Sequence, residues 1–167
     1  LQGDSCTLPC PPRELEYSGT LVTTYKPCNL LHSHHTTQHL PISMSPEPTA
    51  RVSTLILSPH VDDEVLGSFA FLNRQTHVLY GGVEERPAIP RTTRLEELNN
   101  SSRQLGFSWT MLKNTVNDYV ASALITPMER VINLYKPQTV LIPEPSYNQD
   151  HRAFFDAGLV ATRPHDT

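Results

Sequence analysis

Apolar and polar positions follow two different patterns along this chain, and the change falls near Arg51. Residues 1–50 carry seven prolines and a polar, histidine-rich stretch over His32–His39, with neither strand alternation nor a helical period. Proline at this density disfavours sustained helix and central strands. We predict an extended or partly disordered arm, either free or wrapped on a partner surface. Tyr17 and Leu21 are among the apolar residues that indicate some ordered contacts.

From residue 51 to 167, short apolar runs alternate with segments of helical period, which predicts a second region. The predicted strands are Val52–Leu57, His77–Val83, Trp109–Leu112 and Thr139–Ile142, and the predicted helices are Glu64–Asn73, Thr92–Leu105, Ala121–Tyr135 and about His151 to Ala161. Strand-helix alternation with short connections favours an α/β domain, a Rossmann-like parallel sheet with helices on both faces. The apolar stripes, such as Val65, Phe69 and Leu72, are then core positions.

The order of strands in such a sheet decides which loops meet. Doubly wound sheets commonly place their strands in the order 3-2-1-4 and bind ligands in the crevice where the order reverses. We therefore expect the first and fourth predicted strands to be neighbours, with their carboxyl ends at one crevice.

Composition narrows the classes of function. The 167 residues fit one domain, and a net charge of −4 gives no basic surface for nucleic acid or membrane. No apolar run approaches the ~18 residues that cross a bilayer, and the N-terminus does not resemble a secretory signal. These features favour a soluble protein, intracellular or organellar.

The cysteines fall only in the arm, at Cys6, Cys10 and Cys28. An odd number is a poor disulfide framework. A structural zinc site with the nearby histidines is one alternative; free thiols, with one disulfide allowed, are the favoured interpretation.

The turn after the first predicted strand carries the most informative motif, Pro59-His60-Val61-Asp62-Asp63-Glu64. One imidazole and three carboxylates so close together suit a divalent ion such as Zn²⁺. The alternative is a helix N-terminus that carries acids because the helix dipole favours them. Standing alone, the hexapeptide favours that alternative.

A second motif follows the fourth predicted strand, where Asn148-Gln149-Asp150-His151-Arg152 places another Asp-His pair at a strand end. Two strand-end loops can build one metal centre if their strands are neighbours. His151 alone could equally be a surface loop residue.

Together the motifs resemble those of the LmbE-like and PIG-L-like N-deacetylases, which carry Pro-His-Pro-Asp-Asp-Glu and a later Asp-His-Arg segment. Val61 stands in place of the second proline, and Arg94-Leu95-Glu96-Glu97 resembles the family's Arg-x-x-Glu helix. The resemblance spans roughly Val52 to Arg163. It implies that residues 51–167 form the N-terminal part of the family's deacetylase domain.

The resemblance also implies a mechanism. His60, Asp63 and His151 would bind Zn²⁺ or another divalent metal, and Asp62 would be the general base for a zinc-bound water that attacks an amide carbonyl. Asp150 would support catalysis by orienting His151 or a neighbouring group. The substrate would be an N-acetylated sugar or glycoconjugate, such as an N-acetylglucosamine compound. The alternative for Asp62 is a helix cap.

Two further residues are candidates for substrate binding. Asn148 stands where many family members have a histidine that stabilises the oxyanion; an amide can donate a hydrogen bond but carries no charge. Arg94 could contact a polar substrate, although an (i, i+3) ion pair with Glu97 is the favoured interpretation.

Three functions remain open at this point. The intact residue set favours a metal-dependent N-deacetylase, a hydrolase. A catalytically inactive relative that serves as a structural or interaction subunit is the main alternative, and a metal hydrolase of non-sugar amides is a weaker one. Because family members continue past this chain's last residue, the resemblance implies a C-terminally incomplete sheet. We expect a homo- or hetero-oligomer, the N-terminal arm or further residues to cover the open edge.

Overall fold

The computed structural model describes residues 51–84 and 89–163, together with the backbone of three short strands in the N-terminal arm. The strands are β1 (Glu14–Tyr17), β2 (Thr20–Thr24), β3 (Ser43–Met44), β4 (Thr54–Ser58), β5 (Thr76–Tyr80), β6 (Ser108–Met111) and β7 (Thr139–Pro143). The helices are α1 (Asp63–Ser68), α2 (Arg91–Leu105), α3 (Ala121–Tyr135) and α4 (Gln149–Ala161). A 3₁₀ turn at Phe69–Phe71 follows α1.

A four-stranded parallel sheet forms the centre of this α/β domain. The strand order is β7-β4-β5-β6, with all three pairings parallel. This is the 3-2-1-4 order predicted from the alternation of elements, so the adjacency of the first and fourth predicted strands is confirmed. The loops after β4 and β7 therefore open at the same edge of the sheet.

Helices cover the two faces of the sheet, because successive strand residues point to opposite sides. Leu55 and Leu57 of β4 pack in one cluster with α3 and α4, which contributes Phe154. Ile56 packs on the other face, in a cluster that includes Leu98 of α2. The predicted apolar stripe of α3 is confirmed, since its residues Leu124, Met128 and Val131 are buried.

The helix after β4 is shorter than predicted. We expected Glu64–Asn73 with Val65, Phe69 and Leu72 on a buried face, but α1 ends at Ser68 and the chain tightens into the 3₁₀ turn. That turn changes the spacing of side chains, and Phe69 is 60% exposed. The prediction of a single apolar face was therefore wrong, and Glu64 and Ser68 are the buried residues of α1.

Other element boundaries differ by small amounts. The second predicted strand ends at Tyr80 rather than Val83, and α4 begins at Gln149 rather than His151. No helix in the described ranges is long and apolar enough to cross a membrane.

Strands of the arm flank the parallel sheet on both sides. β2 pairs antiparallel with β7 from Thr20 opposite Pro143 to Thr24 opposite Thr139, and β1 pairs with β2. β3 pairs antiparallel with β6. Of the coverings expected for the open edge of β7, the structure therefore shows the N-terminal arm. An oligomer stays a prediction. Cys6, Cys10, Cys28 and the histidine stretch of the arm lie outside the described residues.

Candidate metal centre

The turn between β4 and α1 is organised by its own hydrogen bonds. The Ser58 hydroxyl donates to the His60 carbonyl oxygen at 2.8 Å. The His60 backbone N–H donates to Oδ2 of Asp63 at 3.0 Å. These contacts bring the His60 imidazole and the Asp63 carboxylate to the carboxyl end of β4.

The loop between β7 and α4 supplies the second pair of residues. Asn148 caps α4, since its side-chain oxygen accepts a hydrogen bond from the backbone N–H of Asp150 at 2.8 Å. The cap places Asp150 and His151 in the first turn of the helix. Because β4 and β7 are adjacent and parallel, both loops reach one crevice, as the sequence predicted.

His60, Asp63 and His151 form a cluster that can hold a metal ion, with one ligand atom from each within 4.8 Å of the others. Asp63 Oδ2 lies 3.3 Å from His151 Nε2 and 3.5 Å from His60 Nδ1. A tetrahedral zinc with bonds of about 2.0–2.2 Å separates its ligand atoms by about 3.3–3.6 Å. Two imidazoles and one carboxylate, with the carboxylate at these distances from both rings, can therefore hold a zinc-type ion.

Asp150 orients one of these ligands. Its side chain is fully buried, and its Oδ2 lies 2.9 Å from Nε2 of His60. The backbone N–H groups of Asn117 and Tyr119 also donate to its carboxylate, at 2.7 and 3.2 Å. We expected Asp150 to orient His151 or a neighbouring group; its contact is with His60. With Nε2 held by this carboxylate, Nδ1 of His60 is the nitrogen that faces Asp63.

The electrostatics of the cluster favour charge on its carboxylate. Burial alone would raise the pKa of Asp63, but hydrogen bonds from His151 and His60 outweigh it and hold that pKa well below its ordinary value. Burial alone would lower the pKa of His60, because it disfavours the charged ring. The hydrogen bonds and negative charges of Asp63 and Asp150 outweigh this effect, so the pKa of His60 is raised. A metal ion needs an ionised carboxylate and neutral imidazoles. The lowered pKa of Asp63 therefore favours metal binding, whereas the raised pKa of His60 means that a proton competes with the metal for this ring.

Asp62 lies beside the cluster in an unusual backbone conformation. Its φ is 103°, in a region that residues other than glycine seldom adopt. It occupies the N-cap position of α1, but its side chain makes no capping hydrogen bond. The exposed carboxylate is thus not used as a helix cap. Burial and the Asp63 charge raise the pKa of Asp62, partly offset by Arg94 and His60.

Glu64 holds the backbone of Asp62 in place. The Asp62 N–H donates to Oε2 of Glu64 at 3.0 Å, and the Glu64 residue is only 2% exposed. Burial raises the pKa of this carboxyl group. The last acid of the hexapeptide is therefore a supporting group inside the fold.

The two predicted substrate-binding residues, Arg94 and Asn148, line one polar pocket together with His60 and Asp62. Arg94 also makes the expected pair with Glu97, its Nη1 lying 3.4 Å from Glu97 Oε2. Arg94 therefore pairs with Glu97 and also lines the pocket. Asn148 uses its side-chain oxygen for the helix cap, which leaves its NH₂ group as the donor at the pocket.

Sequence reasoning missed the contribution of the loop after β6. The Tyr119 hydroxyl donates to the Pro59 carbonyl oxygen at 3.0 Å, and so supports the turn that carries His60. A Cβ atom at Gly81 would come within 2.5 Å of the rings of Tyr119 and Phe154, so only glycine fits there. One feature of the sequence could have pointed to this loop: the third predicted strand, β6, is parallel to the others and so also ends at this edge of the sheet.

Comparisons with known proteins give no match to this chain, whether with protein-family models, curated proteins or solved structures. The likeness to the deacetylases therefore rests on the motifs and on the geometry of the residues that they bring together.

Proposed function

We propose that this chain is a metal-dependent hydrolase of the LmbE-like and PIG-L-like kind, which removes an N-acetyl group from an amino sugar or glycoconjugate. The observation that carries the proposal is the convergence of His60, Asp63 and His151 beside the uncapped carboxylate of Asp62. These ligands come from loops about 90 residues apart, and the donor atoms lie within 4.8 Å. If the acids of the hexapeptide only served the dipole of α1, nothing would require a histidine from the distant loop after β7 to lie beside them.

In this proposal His60, Asp63 and His151 hold Zn²⁺ or a similar divalent ion. The ion, when bound, supplies a Lewis acid that acidifies a water molecule and polarises an amide carbonyl. Asp150 keeps the His60 ring in the orientation that presents Nδ1, through the 2.9 Å contact to Nε2. The chain thus supplies both the ligands and the buried group that orients one of them.

Asp62 is the proposed general base. Its side chain takes a proton from the attacking water and returns it to the leaving amine, so that one carboxyl group serves both halves of the reaction. The pKa of Asp62 is raised, and this brings it closer to neutral pH, where a general base is most effective. Its neighbour Asp63, with a lowered pKa, stays ionised as a ligand.

The test separates metal binding from turnover. We expect purified wild-type protein to contain about one equivalent of metal and to release amine from N-acetylglucosamine compounds. His151→Ala loses most of the metal because it removes a ligand. Asp62→Asn keeps the metal, and its rate falls by roughly 10²–10⁴-fold because it removes only the base.

Asp156→Asn, at an exposed position of α4, is the matched control and should change neither quantity. Unchanged metal content in His151→Ala would contradict the proposed ligand set. Metal binding without hydrolysis of any N-acyl amine would instead favour the inactive relative.

A further inference from the structure

Two pockets of opposite character meet at the metal-ligand cluster. The first, of about 400 Å³, is lined mainly by polar groups that include Asp62, Arg94 and Asn148. The second, of about 280 Å³, starts at Asp63 and His151. We call this second pocket the apolar groove, because it continues between α1 and β7 over aliphatic side chains that include Ile56, Leu66, Leu141 and Pro143.

We propose that the apolar groove binds the acyl chain of an N-acyl amino sugar, so that the substrate class includes acyl groups longer than acetyl. This inference rests on the proposed function, because it uses the same reacting centre. It adds the division of the substrate between the two pockets.

The position of the proposed base sets the orientation of the substrate. An amide carbonyl carbon carries two substituents, the amine and the acyl chain. The leaving amine must lie near the carboxyl group that protonates it, and Asp62 lines the polar pocket. The acyl chain then points away from Asp62, and the groove lined by Asp63 and His151, which Asp62 does not line, is the pocket that can receive it.

The character of each pocket agrees with this orientation. Sugar hydroxyls find donors and acceptors among Arg94 and Asn148, whereas an alkyl chain gains from leaving water against aliphatic walls. Leu66 forms one wall and is 82% exposed, so a bound chain would cover apolar surface that otherwise meets solvent. Burial of methylene groups strengthens binding by about three- to fourfold for each group.

The experiment measures binding to the metal-loaded Asp62→Asn variant, in which slow turnover permits calorimetry. The ligands are N-acetyl-, N-butanoyl- and N-hexanoylglucosamine. We expect Kd to fall about three- to fourfold per methylene. Adding Leu66→Asp should abolish this dependence on length, because it places a charge on the groove wall. Leu134→Asp is the matched control, since Leu134 is an exposed leucine of α3 outside either pocket.

A Kd that does not change with chain length would overturn the groove assignment, and so would a length dependence that survives Leu66→Asp. Failure of the proposed function gives a different result: wild-type protein would hydrolyse none of the three amides. Binding that strengthens with length in that case would leave the groove standing as a site for the acyl chain.

Discussion

At the scale of single residues, Asp62 combines backbone strain with an unpaired functional group. Its φ of 103° costs of order 1–3 kcal/mol for a residue with a side chain. The hydrogen bond from its N–H to buried Glu64 helps to hold this conformation. Strained backbone conformations of non-glycine residues cluster at functional positions, which agrees with the role proposed for Asp62.

The strain can be measured with two substitutions at this position. Asp62→Gly and Asp62→Ala both remove the carboxylate, but only glycine adopts a positive φ without steric cost. We expect the glycine variant to exceed the alanine variant by about 1 kcal/mol in free energy of unfolding, with turnover lost in both. Without strain, alanine would be the more stable variant because it loses less backbone entropy on folding. An alanine variant that exceeds the glycine variant in urea denaturation would therefore contradict strain at residue 62.

The residue scale also shows what the sequence could reveal about the site. The resemblance to the deacetylases pointed to His60, Asp63 and His151, and the predicted sheet order placed the two loops that carry them at one crevice, where the structure brings them together. The partner of Asp150 was not resolved, since the choice between His60 and His151 depends on side-chain directions within one crevice. Tyr119 was missed because its contact with Pro59 spans 60 residues and leaves no local pattern.

At the scale of elements, a polar contact joins β5, β6 and α3 inside the domain. The ring nitrogens of His77 lie 2.8 Å from the Ser108 hydroxyl and 2.9 Å from that of Thr110, and the Tyr135 ring packs at 4.3 Å between centroids. Burial lowers the pKa of His77 from 6.5 to about 4. Both hydroxyls can serve a neutral imidazole, so the folded state keeps this ring uncharged.

This burial predicts a loss of stability in acid. Below pH 6.5 the unfolded chain takes up a proton on His77, while the folded chain does not until about pH 4. Stability therefore falls as pH decreases through this window, and the group contributes no pH dependence above it. Between pH 8 and pH 5 we expect wild-type protein to lose about 2 kcal/mol more than His77→Gln. Parallel pH curves for the two proteins would contradict this account.

Elements were predicted best where pattern and packing agree. The apolar stripe of α3 gave its limits, Ala121–Tyr135, because one face is buried along most of its length. The helix after β4 was predicted to be too long, because Phe69 and Leu72 continue the helical spacing of apolar residues although the chain leaves the α-helix after Ser68. The apolar period carries no information on where a short helix tightens to bring the chain back towards β5.

At the scale of the whole molecule, the arm completes the sheet that the domain begins. β2 lies along the full length of β7, and β3 lies along β6 at the opposite side. Sequence reasoning left several coverings open because pairing between distant strands depends on register, which prolines and short apolar runs do not specify. An unpaired β7 would present backbone donors and acceptors to other chains.

Deletion of residues 1–24 tests this role of the arm, because it removes both β1 and β2. We expect the shortened protein to lose about 2 kcal/mol or more in free energy of unfolding, since the hydrogen bonds of the β2–β7 ladder are lost. We also expect self-association that increases with concentration, measured by light scattering after size exclusion. Deletion of residues 1–12, which leaves both strands in place, is the control and should match the full chain. If the longer deletion has the same association state and the same stability as the full chain, the edge of β7 does not depend on the arm, and an oligomer or further residues become the coverings to test.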